Sequence, residues 1–187
     1  MLAYLFVALS YLFVILAVLL RVTAGTGAFA TYGFSLVGAS LLFFGSRMPG
    51  KQFWVPATLL IGSDIYLNLR VYQIPLAMDQ ILMWSWYIVP CLLGLLLRNR
   101  VKPLNVLGAG LGTGVGFFLT SNFAVWAVGN LGYAHNFAGL MDCYVKAIPF
   151  ARNGIISDVL FAAVFFTIGA LVAQTQPEAV EGKSAAA

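Results

Sequence analysis

The run Leu104-Asn105-Val106-Leu107-Gly108-Ala109-Gly110-Leu111-Gly112-Thr113-Gly114-Val115-Gly116-Phe117-Phe118-Leu119-Thr120-Ser121-Asn122-Phe123-Ala124-Val125-Trp126-Ala127-Val128 decides the fold class. It holds no charged side chain and exceeds the roughly 20 residues an α-helix needs to cross the hydrocarbon core of a bilayer. Its first half is a ladder of glycines, Gly108, Gly110, Gly112, Gly114 and Gly116. Its second half turns polar and aromatic at Thr120, Ser121, Asn122 and Trp126. The following segment, up to Asp158, adds His135, Asp142, Cys143, Tyr144, Lys146, Pro149, Arg152 and Asn153. One apolar helix thus passes from backbone-on-backbone packing to polar side chains, which points to a pocket.

Composition agrees with that run. The 187 residues are 61% hydrophobic and 9% charged, whereas a soluble domain carries about a quarter charged residues. A net charge of +4, dispersed along the chain, argues against nucleic acid as a partner. Cys91, inside an apolar run, and Cys143, in a predicted loop, fit neither a metal site nor a disulfide framework and read as free thiols.

Outward from Leu104–Val128, five more apolar runs follow the same rule: Leu2–Leu20, Ala28–Gly45, Trp54–Tyr72, Asp79–Leu97 and Gly154–Ala173. A signal peptide is the rival for the first, since Ala28-Phe29-Ala30 resembles a cleavage site. Met1-Leu2-Ala3-Tyr4 lacks the positive n-region, however, and the run exceeds a signal core. Residues 129–152 form the longest connection, with part of it expected as a short helix at the interface. Because backbone groups in lipid must be paired internally, and because these runs do not alternate in polarity, helices rather than a barrel follow. The expectation is an all-α polytopic membrane protein: a bundle of about six transmembrane helices over residues 1–174, then a disordered polar tail, 175–187.

Cation placement sets the orientation. With the N-terminus inside, Arg47, Lys51, Arg98, Arg100, Lys102 and Lys183 are cytoplasmic, and Arg21, Arg70, Lys146 and Arg152 lie outside. N-in/C-in is therefore the predicted topology, in the plasma (bacterial inner) membrane.

That topology gathers polar groups in the outer half. Asp64 lies eight residues before the end of its span, about 12 Å deep at 1.5 Å per residue, and Asn68 shares its face. Asn122, with Trp126 one turn above it, falls at a similar level, as do Asn153, Ser157 and Asp158, Thr31, Tyr32 and Ser35, and Trp84 to Tyr87. A charge at mid-membrane depth costs about 2.5–3.5 kcal/mol, so Asp64 needs a cavity, a proton or a partner, for which Arg152 and Arg70 are the candidates. A polar network that merely fixes helix register is the alternative. Asp158, near the predicted start of its helix, also suits the positive end of that helix dipole. The aromatic side chains fit an interfacial belt as well as a pocket, and His135 reads as a solvated loop residue. Gly108, Gly112 and Gly116 form a double small-xxx-small stripe for helix packing, and Gly110 and Gly114 form a second, about 160° away.

No phosphate-binding loop, metal-ligand cluster or Gly-x-Ser-x-Gly elbow is present. ATP hydrolysis by the chain itself and triad catalysis are therefore not expected, and no cofactor or metal is implied.

Phe117 to Trp126, Tyr133, Gly139-Leu140, Cys143-Tyr144, Ala147-Ile148-Pro149-Phe150, Arg152-Asn153 and Asp158 carry a resemblance. So do Gly38-Ala39, Phe43-Phe44-Gly45, Val55-Pro56 and Ser63-Asp64. Over roughly residues 30–165 the chain resembles an uncharacterised group of small bacterial six-helix membrane proteins. That group is similar to the substrate-binding (S) subunits of energy-coupling-factor vitamin transporters. Gly25-Thr26-Gly27-Ala28-Phe29 departs from the group's Asn-Phe-Ser/Thr-Pro segment, and the first helix has no Ala-x-x-x-Ala pair for docking a coupling subunit. The resemblance implies a non-enzymatic subunit that captures a vitamin-like solute from outside. Its implied partners are the bilayer, a transmembrane coupling subunit, ATPases and the solute. The candidate substrate-binding residues are Asp64, Asn68, Asn122, Trp126, Tyr144, Arg152, Asn153 and Asp158. An accessory or scaffold subunit of a larger membrane complex is the competing expectation.

Overall fold

The computed structural model describes residues 2–27, 33–129 and 131–175, and among them there is no β-strand. Helix α1 spans Leu2–Gly25, α2 Val37–Arg47, α3 Trp54–Tyr66, α4 Met78–Ser85, α5 Ile88–Leu97, α6 Pro103–Val128 and α7 Phe137–Gln174. A 3-10 turn, Gly50–Gln52, precedes α3, and a π-helical turn, Leu67–Tyr72, extends it. Among the described residues, four helical stretches are long and apolar enough to cross a membrane: α1, Met78–Leu97, α6 and α7.

Local chemistry explains where the elements stop. Pro103 opens α6, where its missing N–H costs nothing. Gly129 closes α6 at φ 77°, a left-handed cap that glycine adopts without strain. Pro90 has no N–H for the Trp86 carbonyl, which accepts from Val89 instead at 2.9 Å. The fourth apolar run is accordingly two helices, α4 and α5, with Trp86 and Tyr87 at the joint.

Two expectations need correction. Among the described residues the second run is helical over Val37–Arg47, 11 residues, fewer than crossing a bilayer alone requires. Residues 28–32, including Thr31 and Tyr32 and the cleavage-like Ala28-Phe29-Ala30, lie outside the described residues, as does the tail from 176 onward. The long connection over 129–152 is also overturned, because α7 begins at Phe137 and continues for 38 residues. Asn136 starts it by accepting the Gly139 amide at 2.9 Å. Pro149 removes one hydrogen bond without ending the helix, and Asp142 and Lys146 pair four residues apart at 2.7 Å. At 1.5 Å per residue α7 is about 57 Å long, well beyond the hydrocarbon thickness.

Helix α2 is the hub. Residues Ala39 to Ser46 are all buried, and α2 packs on α1, α5, α6 and α7. A Cβ at Gly45 would overlap the Cys91 backbone, and one at Gly94 would overlap the Leu42 carbonyl, so α2 and α5 touch main chain to main chain. Around its C-terminal half, Phe43 meets Phe13 at 5.1 Å and Phe166 at 5.3 Å, and Phe13 stacks on Phe165 at 3.9 Å. Phe44 sits in an adjoining cluster with Val14, Leu41, Leu60 and Cys91. Arg98 donates to the Met48 carbonyl at 2.5 Å, where a cation suits the negative end of α2. The aromatic core thus fills the space around one end of α2. Its other end opens onto cavities.

Candidate functional site

Asp64 on α3 is 3% exposed and ties four elements together. Its Oδ1 accepts from the Arg21 guanidinium at the end of α1. Its Oδ2 accepts from Trp84 Nε1 of α4 at 2.9 Å and from the Tyr87 hydroxyl, at the α4–α5 joint, at 2.6 Å. A carboxylate with three donors keeps its charge satisfied despite burial. Arg21 has its Nε buried without a hydrogen-bond partner.

This pair stands in the wall between two cavities of about 510 and 430 Å³, both within the range of small-molecule sites. Arg21, Gly33, Ser35, Asp64 and Gln80 line both. The larger is completed by Asn68 and Tyr72 among others, with Asn68 Nδ2 donating to Gln80 Oε1 at 2.6 Å. The smaller is walled by Trp86, Phe117 and Phe118 and carries Thr113, Asn122 and Asp158.

Asp158 reaches that cavity from the middle of α7, 21 positions after Phe137, rather than from the start of its own helix as expected. Its carboxylate accepts the Ala39 amide, in the first turn of α2. There it satisfies an N-terminal N–H that no capping side chain serves, and it meets the positive end of that helix. Gly38 makes the approach possible: a Cβ there would overlap Asp158 Oδ1.

The predicted residues therefore divide. Asp64, Asn122 and Asp158 share the smaller cavity, and Asn68 lines the larger. Trp126 lines neither, its Nε1 donating to the Ala134 carbonyl at 2.9 Å beside His135. Tyr144 donates to the Leu119 carbonyl at 2.9 Å and packs on Phe118 behind the cavity wall. Arg152 is exposed, so neither it nor the exposed Arg70 partners Asp64. Asn153 is half-buried next to Gly33, outside both linings. Arg21, Gln80 and Phe118 were not anticipated as lining residues, whereas Trp86, weighed between an interfacial belt and a pocket, lines the smaller cavity. Arg21 was findable: it is the lone cation at the C-terminal end of the first apolar run, and Asp64 is an acid that needs one.

The glycine ladder also divides, against the predicted stripe. A Cβ at Gly108 or Gly112 would meet open space. Gly110 and Gly114 face α7, with the Asp158 carbonyl 3.0 Å and Ile155 Cα 2.8 Å from the added carbon, and Gly116 lies under Trp86. Packing therefore uses the second stripe and Gly116. Cys91 and Cys143 are free thiols, as the sequence suggested.

Helices of membrane-crossing length around an amphipathic cavity define the class: an all-helical, membrane-type protein. The chain belongs to a family of unknown function, DUF6580, which matches residues 4–180. No curated protein and no solved structure matches it.

Proposed function

We propose that the chain is a multi-pass protein of the plasma membrane that captures a small, vitamin-like solute from outside. It acts as the substrate-binding subunit of a transporter whose energy comes from separate ATPase subunits through a transmembrane coupling subunit. Both termini are cytoplasmic in this reading. The observation that carries it is the pair of adjoining cavities sharing Arg21 and Asp64. Their walls combine aromatic side chains with a few polar ones, the usual constitution of a small-molecule site. A network serving register alone needs no such space.

Native mass spectrometry of the chain purified in mild detergent tests the proposal. A stoichiometric small molecule, released when Asp64→Asn and Asn122→Ala are combined, is the expected result. A chain that retains no solute, yet co-purifies with a stoichiometric membrane protein and no ATPase, would overturn it. That outcome would establish the second reading, an accessory subunit, which the open face at Gly108 and Gly112 favours.

A further inference from the structure

We infer that the smaller cavity takes an organic cation, an ammonium group on a planar aromatic body, with the Asp158 carboxylate as its counter-ion. The inference rests on the solute-capture reading and specifies its ligand.

Charge bookkeeping leads there. The charged side chains lining the cavity are Arg21, Asp64 and Asp158. Arg21 and Asp64 neutralise each other. Asp158 is 8% exposed, and neither ion pair found among the described residues includes it. Among the described residues its donor is the Ala39 amide, and a carboxylate has about four acceptor positions. The elements packed around it add no cation. Val37, Gly38 and Leu41 come from α2, and Gly114, Phe117 and Asn122 from α6. Thr113 spends its hydroxyl on the Ala109 carbonyl of its own helix at 2.9 Å. On α7 itself, Lys146 and Arg152 are exposed and outside the lining. A carboxylate desolvated this far is stabilised by a cation brought to it, and the positive end of α2 supplies only about half a charge.

The remaining wall selects the same chemistry. Asn122 uses its Nδ2 on the Phe118 carbonyl at 2.8 Å, leaving Oδ1 to accept from a ligand. Trp86, Phe117 and Phe118 line the cavity with aromatic rings, whose faces attract an ammonium when water is excluded. An anion would meet the Asp158 carboxylate, and the charge of Arg21 in the same wall is already balanced by Asp64.

The test is calorimetry on the full chain in lipid nanodiscs with three matched probes: tryptamine, tryptophol and indole-3-propionate. Tryptamine is expected to bind at least about tenfold tighter than tryptophol, with indole-3-propionate weakest. Asp158→Asn keeps an oxygen for the Ala39 amide and is expected to erase most of that preference. Should D158N not fold, the parent comparison decides, joined by Trp86→Leu, expected to weaken tryptamine about tenfold. Equal or tighter binding of tryptophol or indole-3-propionate overturns the cation inference and leaves solute capture standing. If no probe binds at millimolar concentration, a retained solute of other chemistry sinks the cation inference alone. The absence of any retained solute sinks both.

Discussion

Arg21 and Asp64, 43 positions apart, form an ion pair that closes α1 onto α3 where the two cavities meet. Both ends of the contact are cavity wall, since both residues line both cavities. Removing one partner of a fully buried pair costs about 3–5 kcal/mol, because the other is left charged and unpaired. Arg21 is 36% exposed and Trp84 and Tyr87 still donate to Asp64, so Arg21→Met is expected to cost less than that. Adding Asp64→Asn to that variant should restore part of the loss, a coupling that chemical unfolding of the single and double variants in detergent measures. Additive effects would mean the pair is not coupled in solution.

The Tyr87 hydroxyl is the shorter of the two neutral donors to Asp64, and it is buried. Tyr87→Phe keeps the ring in its core cluster with Leu60 and Cys91 and removes only the hydroxyl. A hydrogen bond to a charged group contributes about 1.5–3 kcal/mol, so a loss of that order is expected in the same unfolding assay. Trp84→Phe, whose bond is 2.9 Å and whose side chain is less buried, should cost less.

How much of this was legible follows from what each residue's neighbours reveal. Leu104–Val128 announces a helix because composition and length act locally, and α6 runs Pro103–Val128. Asp64 announces a partner because burying a charge has a fixed sign. Which partner is a question of tertiary approach, and the spacing of Arg70 or Arg152 says nothing about it. The stretch Asp142 to Arg152 looked like a loop because it is polar and holds Pro149. In the structure those polar side chains occupy the exposed side of α7, and the long helix absorbs one missing N–H. The end of α2 was illegible for a different reason: its N-terminal partner, Asp158, comes from another helix, 119 positions beyond Ala39.

Topology is open to a direct measurement. Arg98, Arg100 and Lys102 cluster between α5 and α6, so Asn99→Cys is expected to react only with reagent on the cytoplasmic side. His135→Cys, between α6 and α7, should react only from outside. Cys91 and Cys143 are buried, which keeps the background of the parent low. External labelling of Asn99→Cys would invert the orientation and place the cavities toward the cytoplasm.

The glycines of α6 allow a comparison within one helix. At Gly114 an added carbon would stand 2.8 Å from Ile155 Cα, a main-chain atom of α7 that cannot step aside alone. At Gly112 the same carbon meets nothing within 4 Å. Gly114→Leu must therefore separate α6 from α7, and overpacking costs about 1–3 kcal/mol or more. Gly112→Leu should change stability by no more than about 0.5 kcal/mol, as an open-surface substitution does. Thermal unfolding of both variants, purified alone in the same detergent, reads the contrast. Equal destabilisation would mean that the Gly108–Gly112 face is covered in the purified state, by a second copy or a retained partner. Size measured by light scattering then separates those two, since only a second copy doubles the mass with a single chain present.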